Sequence, residues 1–196
     1  MDQYKGSDVD KYRCFMSGEG EKNTTWKTGA PPNFDVVNKL FEEGRTKIWP
    51  TGSLEEQVQN LVKTWEMEIF HKLDPKDFKA CDVTKLTVSV NGRKPLTPQD
   101  VAKIVEILQV YSGPPVIAYK FRHWGYMEGP FKGYPPTGNI VEMFGVSTME
   151  LDEDFKVKKV EFFYDRGELL AGLIKGGGAA TGDSITTKDS SSCPFS

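Results

Sequence analysis

A histidine near the end of a predicted strand has the chemistry needed to move protons. Residues 116–124 alternate in hydropathy, and this parity places His123 on the apolar face together with Tyr119 and Phe121. A buried imidazole can act as an acid, a base or an orienting donor. The alternative is a core histidine that is satisfied by a backbone carbonyl. The sequence pattern leaves both interpretations open.

Asp165 is the second candidate for proton transfer, because it ends a strongly aromatic strand predicted over residues 157–165. Desolvation by aromatic neighbours would raise the pKa of its carboxyl group and make it a better base near neutrality. The alternative is that Asp165 caps the following helix, since aspartate is a favoured N-cap residue. Glu142 is a further carboxylate within a strand, and we expect it to be solvated.

Several kinds of site are not expected from the composition and spacing. Cys14, Cys81 and Cys193 lie far apart, and two histidines are too few for a multi-histidine metal centre. The 25 basic and 28 acidic residues give a net charge of −3 without a basic block, which argues against nucleic-acid binding. Residues 172–178 lack a phosphate-binding glycine spacing. We therefore expect no cofactor and no metal ion.

The first part of the chain contains the helical patterns that must position these residues. Ser53 and Glu56 form a capping box at the start of a long amphipathic helix over residues 53–73, which carries Trp65. A shorter apolar pattern begins at Phe34 and ends at Gly44. A further helix is expected to start at residues 97–100 and to point Ile104 and Val105 inward.

The second part of the chain changes to a period of two. Residues 86–90 alternate up to Asn91-Gly92, a typical primed-turn pair. Further strands are expected at about 108–111, 116–124, 140–151 and 157–165, and a short helix at 168–174. Helices followed by an antiparallel sheet indicate the α+β class. The predicted organisation is an arm over residues 1–52, a domain over 53–175 and a flexible tail over 176–196.

The overall composition is that of a soluble globular protein. The 196 residues are 38% hydrophobic and 27% charged, which lies outside the disordered and fibrous classes. No apolar run approaches the roughly 20 residues that cross a bilayer. The N-terminal residues carry acids and lack an apolar stretch, so neither a secretory signal nor an organellar transit peptide is expected. These features predict a cytoplasmic protein.

Several longer motifs resemble one family. Residues 123–138, HWGYMEGPFKGYPPTG, and residues 160–170, VEFFYDRGELL, are similar to the plant pathogen-related protein family. So are GEGEK at 18–22, GAPPN at 29–33 and EEGRTK at 42–47, so that the resemblance covers nearly the whole chain. It implies a SnoaL-like domain of the nuclear transport factor 2-like superfamily. Such a domain packs helices into the concave face of a curved antiparallel sheet, here of about four to six strands, around a cone-shaped pocket.

The resemblance also implies roles for particular residues. Bacterial SnoaL-like cyclases share the stretch at residues 129–138 and have a carboxylate just before the last helix, which falls on Asp165. In those enzymes the aspartate moves protons during an intramolecular aldol closure. Met127 stands where many of them carry a histidine. Plant relatives usually have a longer segment than residues 95–110, and that segment would help to roof the pocket.

The expected function is to bind a small hydrophobic plant metabolite, with isomerisation or cyclisation by proton transfer as the possible reaction. Asp165 would be the acid or base, aided by His123 or Tyr119. The alternative is a non-catalytic accessory protein that assists a partner enzyme of defence or specialised metabolism. Large side chains with expected inward parity, or a place in the family motif, are the candidate ligand contacts: Trp65, Phe121, Met127, Phe144 and Phe163.

Two further expectations concern assembly and membranes. The other face of residues 116–124 carries Ala118, Lys120, Arg122 and Trp124, a mixture of charge and aromatic surface typical of interfaces, so we expect a homodimer. Cys193 is fourth from the end of the sequence, as in a prenylation box, although Pro and Phe replace the aliphatic residues. Membrane attachment is expected only if Cys193 is lipidated. The alternative is an unmodified terminus.

Overall fold

The computed structural model describes residues 10–93, 104–131 and 133–174. The start of the helix expected at residues 97–100 and the tail with Cys193 lie outside these ranges. The described part contains three α-helices and five strands, with short 3-10 turns at Glu19–Glu21 and Pro75–Asp77. In chain order the elements are α1 Asp35–Gly44, α2 Leu54–His71, β1 Thr87–Val90, β2 Ile104–Ser112, β3 Val116–Tyr126, β4 Ile140–Leu151, β5 Val157–Tyr164 and α3 Arg166–Ile174.

The strands form one sheet in the order β1-β5-β4-β3-β2. The three pairs among β2, β3, β4 and β5 are antiparallel, but β1 runs parallel to β5. The expected α+β class is confirmed, while the expectation of a purely antiparallel sheet is wrong. Parallel pairing needs a long connection, and the passage of the chain through β2, β3 and β4 provides one.

The second strand begins earlier than its pattern suggested. Ile104 and Val105 belong to β2, opposite Trp124 and His123 of β3, and not to a helix. Both residues are β-branched and fit a pleated sheet well, so pairing with β3 overrides the helical spacing. The turn after β1 agrees with its prediction, because Asn91 and Gly92 both have positive φ angles, of 51° and 71°.

The long helix α2 covers the inner face of the sheet. Ser53 Oγ accepts a hydrogen bond from the backbone N–H of Glu56 at 3.2 Å, which confirms the N-cap. The Glu56 carboxylate accepts one from the N–H of Gly52 at 2.6 Å. Val58, Val62 and Trp65 belong to the main core, where α2 packs against β2, β3, β4 and β5. This helix therefore faces the row of residues that carries His123.

The N-terminal arm packs on the other side of β3. Phe41 of α1 stacks on Trp124 with ring centroids 6.1 Å apart, and Tyr12 contacts Phe41 edge-on at 5.0 Å. Trp124 is only 2% exposed as a result. Its expected availability for a dimer interface is wrong, because α1 of the same chain covers it. Lys120 on the same face remains exposed.

A buried ionic cluster ties the arm to the end of α2. Lys72 Nζ donates to carboxylate oxygens of Glu21 and Glu68 and to the backbone carbonyl of Asp77, each at 3.0 Å. The Glu68 carboxylate also accepts the backbone N–H groups of Lys79 and Ala80. Buried charges require such partners, so this cluster fixes the position of the arm. No helix in the described ranges is long and apolar enough to cross a membrane.

Candidate functional site

The inner face of β3 has the predicted alternation. Ile117, Tyr119, Phe121 and His123 are all buried, beneath α2. The ring of Phe121 contacts the imidazole of His123 edge-on, with centroids 5.0 Å apart. The parity prediction for His123 and Tyr119 is therefore confirmed, and two of the three candidate catalytic residues lie on one buried row.

A carboxylate of α2 meets this row, and sequence reasoning missed it. Glu66 Oε1 lies 3.9 Å from Nε2 of His123, and the Glu66 side chain is only 14% exposed. Burial raises the pKa of Glu66 to about 8, although the guanidinium of Arg13 and, when it is protonated, the amine of Lys63 oppose the shift. A carboxyl group with this pKa carries its proton at neutral pH. The sequence signal that could have identified it is a charged residue, Glu66, which directly follows Trp65 within the apolar stripe of the predicted helix.

Tyr119 adds a phenol to the same interior. Burial is the main cause that raises its pKa, and the charge of Glu66 adds to the shift, whereas Ser147 on the neighbouring strand lowers it. The two hydroxyls do not reach hydrogen-bond geometry with each other, although they are close enough for Ser147 to act on the phenol. The phenol therefore remains protonated and able to donate at neutral pH.

Three of the five predicted ligand contacts are buried. Trp65 and Phe121 both pack against Phe162 of β5, with ring centroids 6.2 Å and 5.8 Å away respectively. Met127 is also buried, at the base of the loop after β3, where its sulfur accepts a hydrogen bond from the Thr137 hydroxyl at 3.7 Å. The aromatic residues pack together in the core beside the polar groups of β3.

Phe144 and Phe163 do not point inward, and this part of the prediction is wrong. Their exposed fractions are 39% and 46%, and they lie on the outer face of the sheet. The residues before them, Met143 and Phe162, occupy the core instead. Consecutive large apolar residues leave the parity of a strand ambiguous, so the pairing of the strands decides which of them is buried. Met143 lies opposite the buried His123, and Phe162 lies opposite the buried Ser147.

Asp165 is exposed, so the expected desolvation of its carboxylate is wrong. Its Oδ1 accepts hydrogen bonds from the backbone N–H groups of Gly167 at 2.7 Å and Glu168 at 3.4 Å. These are the contacts of a residue that caps the start of α3, as in the alternative interpretation. Glu142 is solvated as expected, and its carboxylate accepts a hydrogen bond from Arg122 Nε at 2.8 Å.

The described part of the chain contains no cluster of three or more histidine, cysteine, aspartate or glutamate residues that could hold a metal ion. Cys14 is exposed and Cys81 is buried, and both are free thiols. Burial raises the pKa of Cys81 to about 12, so this thiol is a poor nucleophile at neutral pH. The site chemistry on the inner face therefore consists of a carboxyl group, an imidazole and hydroxyls.

Comparison with known proteins gives the family. A pathogen-related protein from Hordeum vulgare is 48% identical, in an alignment that covers 84% of this chain and 88% of the relative. The chain belongs to the pathogen-related protein family. The family resemblance carried by residues 123–138 and 160–170 is thereby confirmed. A search against family models found no match.

Solved structures are less similar to this chain. IdmH from Streptomyces antibioticus, described as a candidate polyketide cyclase, is 16% identical with a TM-score of 0.42, over 51% of this chain and 86% of that one. A SnoaL-like polyketide cyclase from Agrobacterium tumefaciens is 15% identical with a TM-score of 0.33, over 45% and 76% of the two chains. These values are too low to assign the function of either structure to this chain.

Proposed function

We propose that this member of the pathogen-related protein family binds a small hydrophobic carbonyl compound against the inner face of the sheet and moves a proton on it. Glu66 is the proton-transfer residue, with His123 and Tyr119 beside it. The observation that carries the proposal is the buried approach of Glu66 Oε1 to His123 Nε2, at 3.9 Å. The proposal is supported by the pKa of the Glu66 carboxyl group, which lies near neutral pH because the group is buried in an apolar core.

The pKa of Glu66 suits this task. A general acid or base works best when its pKa lies near the working pH, and the carboxyl group of Glu66 has a pKa of about 8. Its anion removes a proton from the carbon next to the carbonyl group. In a conjugated ketone the same carboxyl group returns the proton at another carbon, which gives an isomerisation. In a dicarbonyl compound the carbanion instead forms a C–C bond to the second carbonyl carbon, the π bond of that carbonyl breaks, and its oxygen takes the proton from Glu66, which closes a ring.

Two neighbours support the charge that forms on the substrate. Removal of the proton places negative charge on the carbonyl oxygen, and a buried hydroxyl donor stabilises such an oxyanion. Tyr119 is that donor, because burial keeps its phenol protonated. His123 either orients the carboxyl group of Glu66 or exchanges a proton with it. Trp65, Phe121 and Phe162 form the apolar core around these polar groups, which is the environment that a hydrophobic ligand would enter.

The experiment compares two conservative variants with the wild-type protein. The probe is 2-tetralone, a small hydrophobic ketone, and NMR follows exchange of its α-hydrogens in deuterated water. We expect the protein to accelerate exchange and Glu66→Gln to reduce that acceleration roughly 100-fold or more. Asp165→Asn is the matched control and retains the acceleration, because Asp165 is an exposed helix cap.

The other outcomes are equally informative. Loss of exchange in Asp165→Asn with retention in Glu66→Gln would contradict our assignment and favour the role that the family resemblance implies for Asp165. Binding of the ketone without any acceleration of exchange would contradict the proton-transfer function and favour the accessory protein. Absence of both binding and exchange would contradict a site for such ketones on the inner face.

A further inference from the structure

A cavity of about 470 Å³ lies on the outer face of the sheet. It is bounded by β2, β3, β4 and the segment that follows α1, and its lining includes Lys47, Leu108, Lys120, Arg122, Glu142 and Phe144. Small-molecule sites have volumes of about 300–1,000 Å³. Lys47, Lys120 and Phe144 are exposed, so the cavity is open to solvent and a ligand can reach it directly.

The cavity presents an aromatic ring that the protein leaves uncovered. Phe144 is 39% exposed, and its ring contacts no other ring or cation among the described residues. Leu108, which is half-buried, adds aliphatic surface. Phe144 lies directly opposite Arg122 in the pairing of β4 with β3, and side chains in such positions have Cβ atoms roughly 4.5–5.5 Å apart. Apolar surface and positive charge are therefore side by side.

Positive charge is in excess at this cavity. The lining has three cations, Lys47, Lys120 and Arg122, and one carboxylate, Glu142. The buried carboxylate of Glu106 lies behind the lining and accepts a hydrogen bond from Nη1 of Arg122 at 3.4 Å. With both carboxylates counted, one positive charge is left over. Neither lysine forms an ion pair with the described residues.

The guanidinium of Arg122 is held rigidly in this lining. Its Nε donates to the Glu142 carboxylate at 2.8 Å, and its Nη1 donates to the backbone carbonyl of Gly44 at 2.9 Å. The guanidinium also lies 4.4 Å from the centroid of the Trp124 ring, and the side chain is 12% exposed. Nη2 donates no hydrogen bond to the described residues, so its two N–H groups remain for a ligand. A guanidinium fixed in this way loses little freedom when it binds a carboxylate.

We propose that this outer-face cavity binds small aromatic monocarboxylates, of the size of benzoate and cinnamate. The carboxylate accepts hydrogen bonds from Nη2 of Arg122, and the ammonium groups of Lys47 and Lys120 attract it. The flat ring packs on Phe144 and Leu108. One negative charge on the ligand matches the one positive charge that the lining leaves over.

This site is separate from the one proposed for proton transfer. Neighbouring residues of a strand point to opposite faces of a sheet, so Arg122 and His123 lie on its two sides. Glu66 meets His123 on the inner side. Binding at the outer cavity is measured without 2-tetralone and does not depend on Glu66, so the failure of one proposal is distinguishable from the failure of the other.

The test titrates the full-length protein with trans-cinnamate and obtains the Kd by ligand-observed NMR. Cinnamyl alcohol has the same ring without the charge, and acetate has the charge without the ring. We expect a Kd of about 1 mM or tighter for cinnamate. Binding of the other two compounds should be at least about tenfold weaker, because each lacks one half of the recognition.

Two exposed substitutions place the ligand in the cavity. Lys120→Gln should weaken cinnamate binding about threefold to tenfold, whereas Lys39→Gln, at a lysine of α1 that is 76% exposed, should not. Phe144→Leu should weaken binding to a similar extent. Its matched control is Phe163→Leu on the same face, because Phe163 is 46% exposed and is not part of the cavity lining.

Three results would overturn the proposal. Equal cinnamate binding by the wild-type protein, Lys120→Gln and Phe144→Leu would place the ligand elsewhere. Equal affinity for acetate and cinnamate would mean that the lysines attract anions without recognising a ring. Absence of saturable binding would also overturn the proposal, and sedimentation of a dimer under the same conditions would then favour a second copy of the chain as the occupant of this face.

Discussion

Nε2 of His123 lies 3.9 Å from Oε1 of Glu66, and this approach joins the inner face of β3 to the helix that covers it. Both groups are withdrawn from water, which is why the pKa of Glu66 is raised to about 8. Raised values of this kind are frequent at functional sites. The raised pKa of Glu66 therefore bears on the proposed function and also on how the stability of the fold changes with pH.

The first prediction concerns pH and Glu66. Its pKa of about 8 in the folded protein exceeds the ordinary value of 4.5, so folding takes up a proton between these values. Glu66 consequently lowers the free energy of unfolding as pH rises through this window, by at most about 1.4 kcal/mol per pH unit. In Glu66→Gln this fall in the free energy of unfolding with rising pH should be absent. Urea unfolding of both proteins at several pH values between 5 and 8 measures it.

Lys63 affects the same comparison with the opposite sign. Its pKa falls from 10.5 to about 6 on folding, so its contribution to stability rises with pH between those values. Both the wild-type protein and Glu66→Gln contain Lys63, and the difference between them isolates Glu66. Parallel stability curves for the two proteins would contradict a buried carboxyl group with a raised pKa.

The second prediction separates the role of Tyr119 in binding from its role in the fold. Tyr119→Phe keeps the buried ring and removes a hydroxyl that makes no ordinary hydrogen bond to the described residues, so the free energy of unfolding should change by less than about 1 kcal/mol. Exchange of 2-tetralone should fall, because the oxyanion loses its donor. The exposed Tyr111, changed to Phe, is the control and should affect neither quantity. An unchanged exchange rate in Tyr119→Phe argues against the donor role.

The third prediction tests the packing behind the inner row. A Cβ atom at Gly145 would lie 2.5 Å from Cζ of Phe121 and 2.6 Å from the backbone oxygen of Phe163. Gly145→Ala should therefore lower the free energy of unfolding by about 1–3 kcal/mol, as overpacking does. Gly125→Ala is the control in the adjacent strand, because a Cβ there would meet no atom of the described part of the chain within 4 Å. Equal stability of the two variants would show that Phe121 can move aside.

The fourth prediction concerns the ionic cluster that holds the arm. Lys72→Met keeps most of the side-chain volume but leaves Glu21 and Glu68 without their shared cation, which should cost roughly 3 kcal/mol or more. Lys76→Met removes an exposed pair with Asp74 and should leave the melting temperature unchanged. Thermal unfolding compares them. Similar melting temperatures would mean that the cluster does not anchor the arm.

Local sequence signals were sufficient where an element is defined by its own residues. The capping box at Ser53 predicts the start of α2 because the hydrogen bonds of a helix N-terminus are local. Asn91-Gly92 predicts its turn because few residue pairs tolerate two positive φ angles. The alternation around His123 predicts a buried imidazole because strand parity is fixed by the backbone.

Tertiary structure decided the features that depend on two separate elements. The distance between Glu66 and His123 depends on how α2 lies across the sheet, and periodicity within the helix contains no information on that. Trp124 was expected at an interface, but α1 returns over it and places Phe41 on its ring. Phe162 is buried and Phe163 exposed only because β5 pairs with β4 in one register. Burial is a property of the neighbours that surround a residue, and these neighbours come from distant parts of the chain.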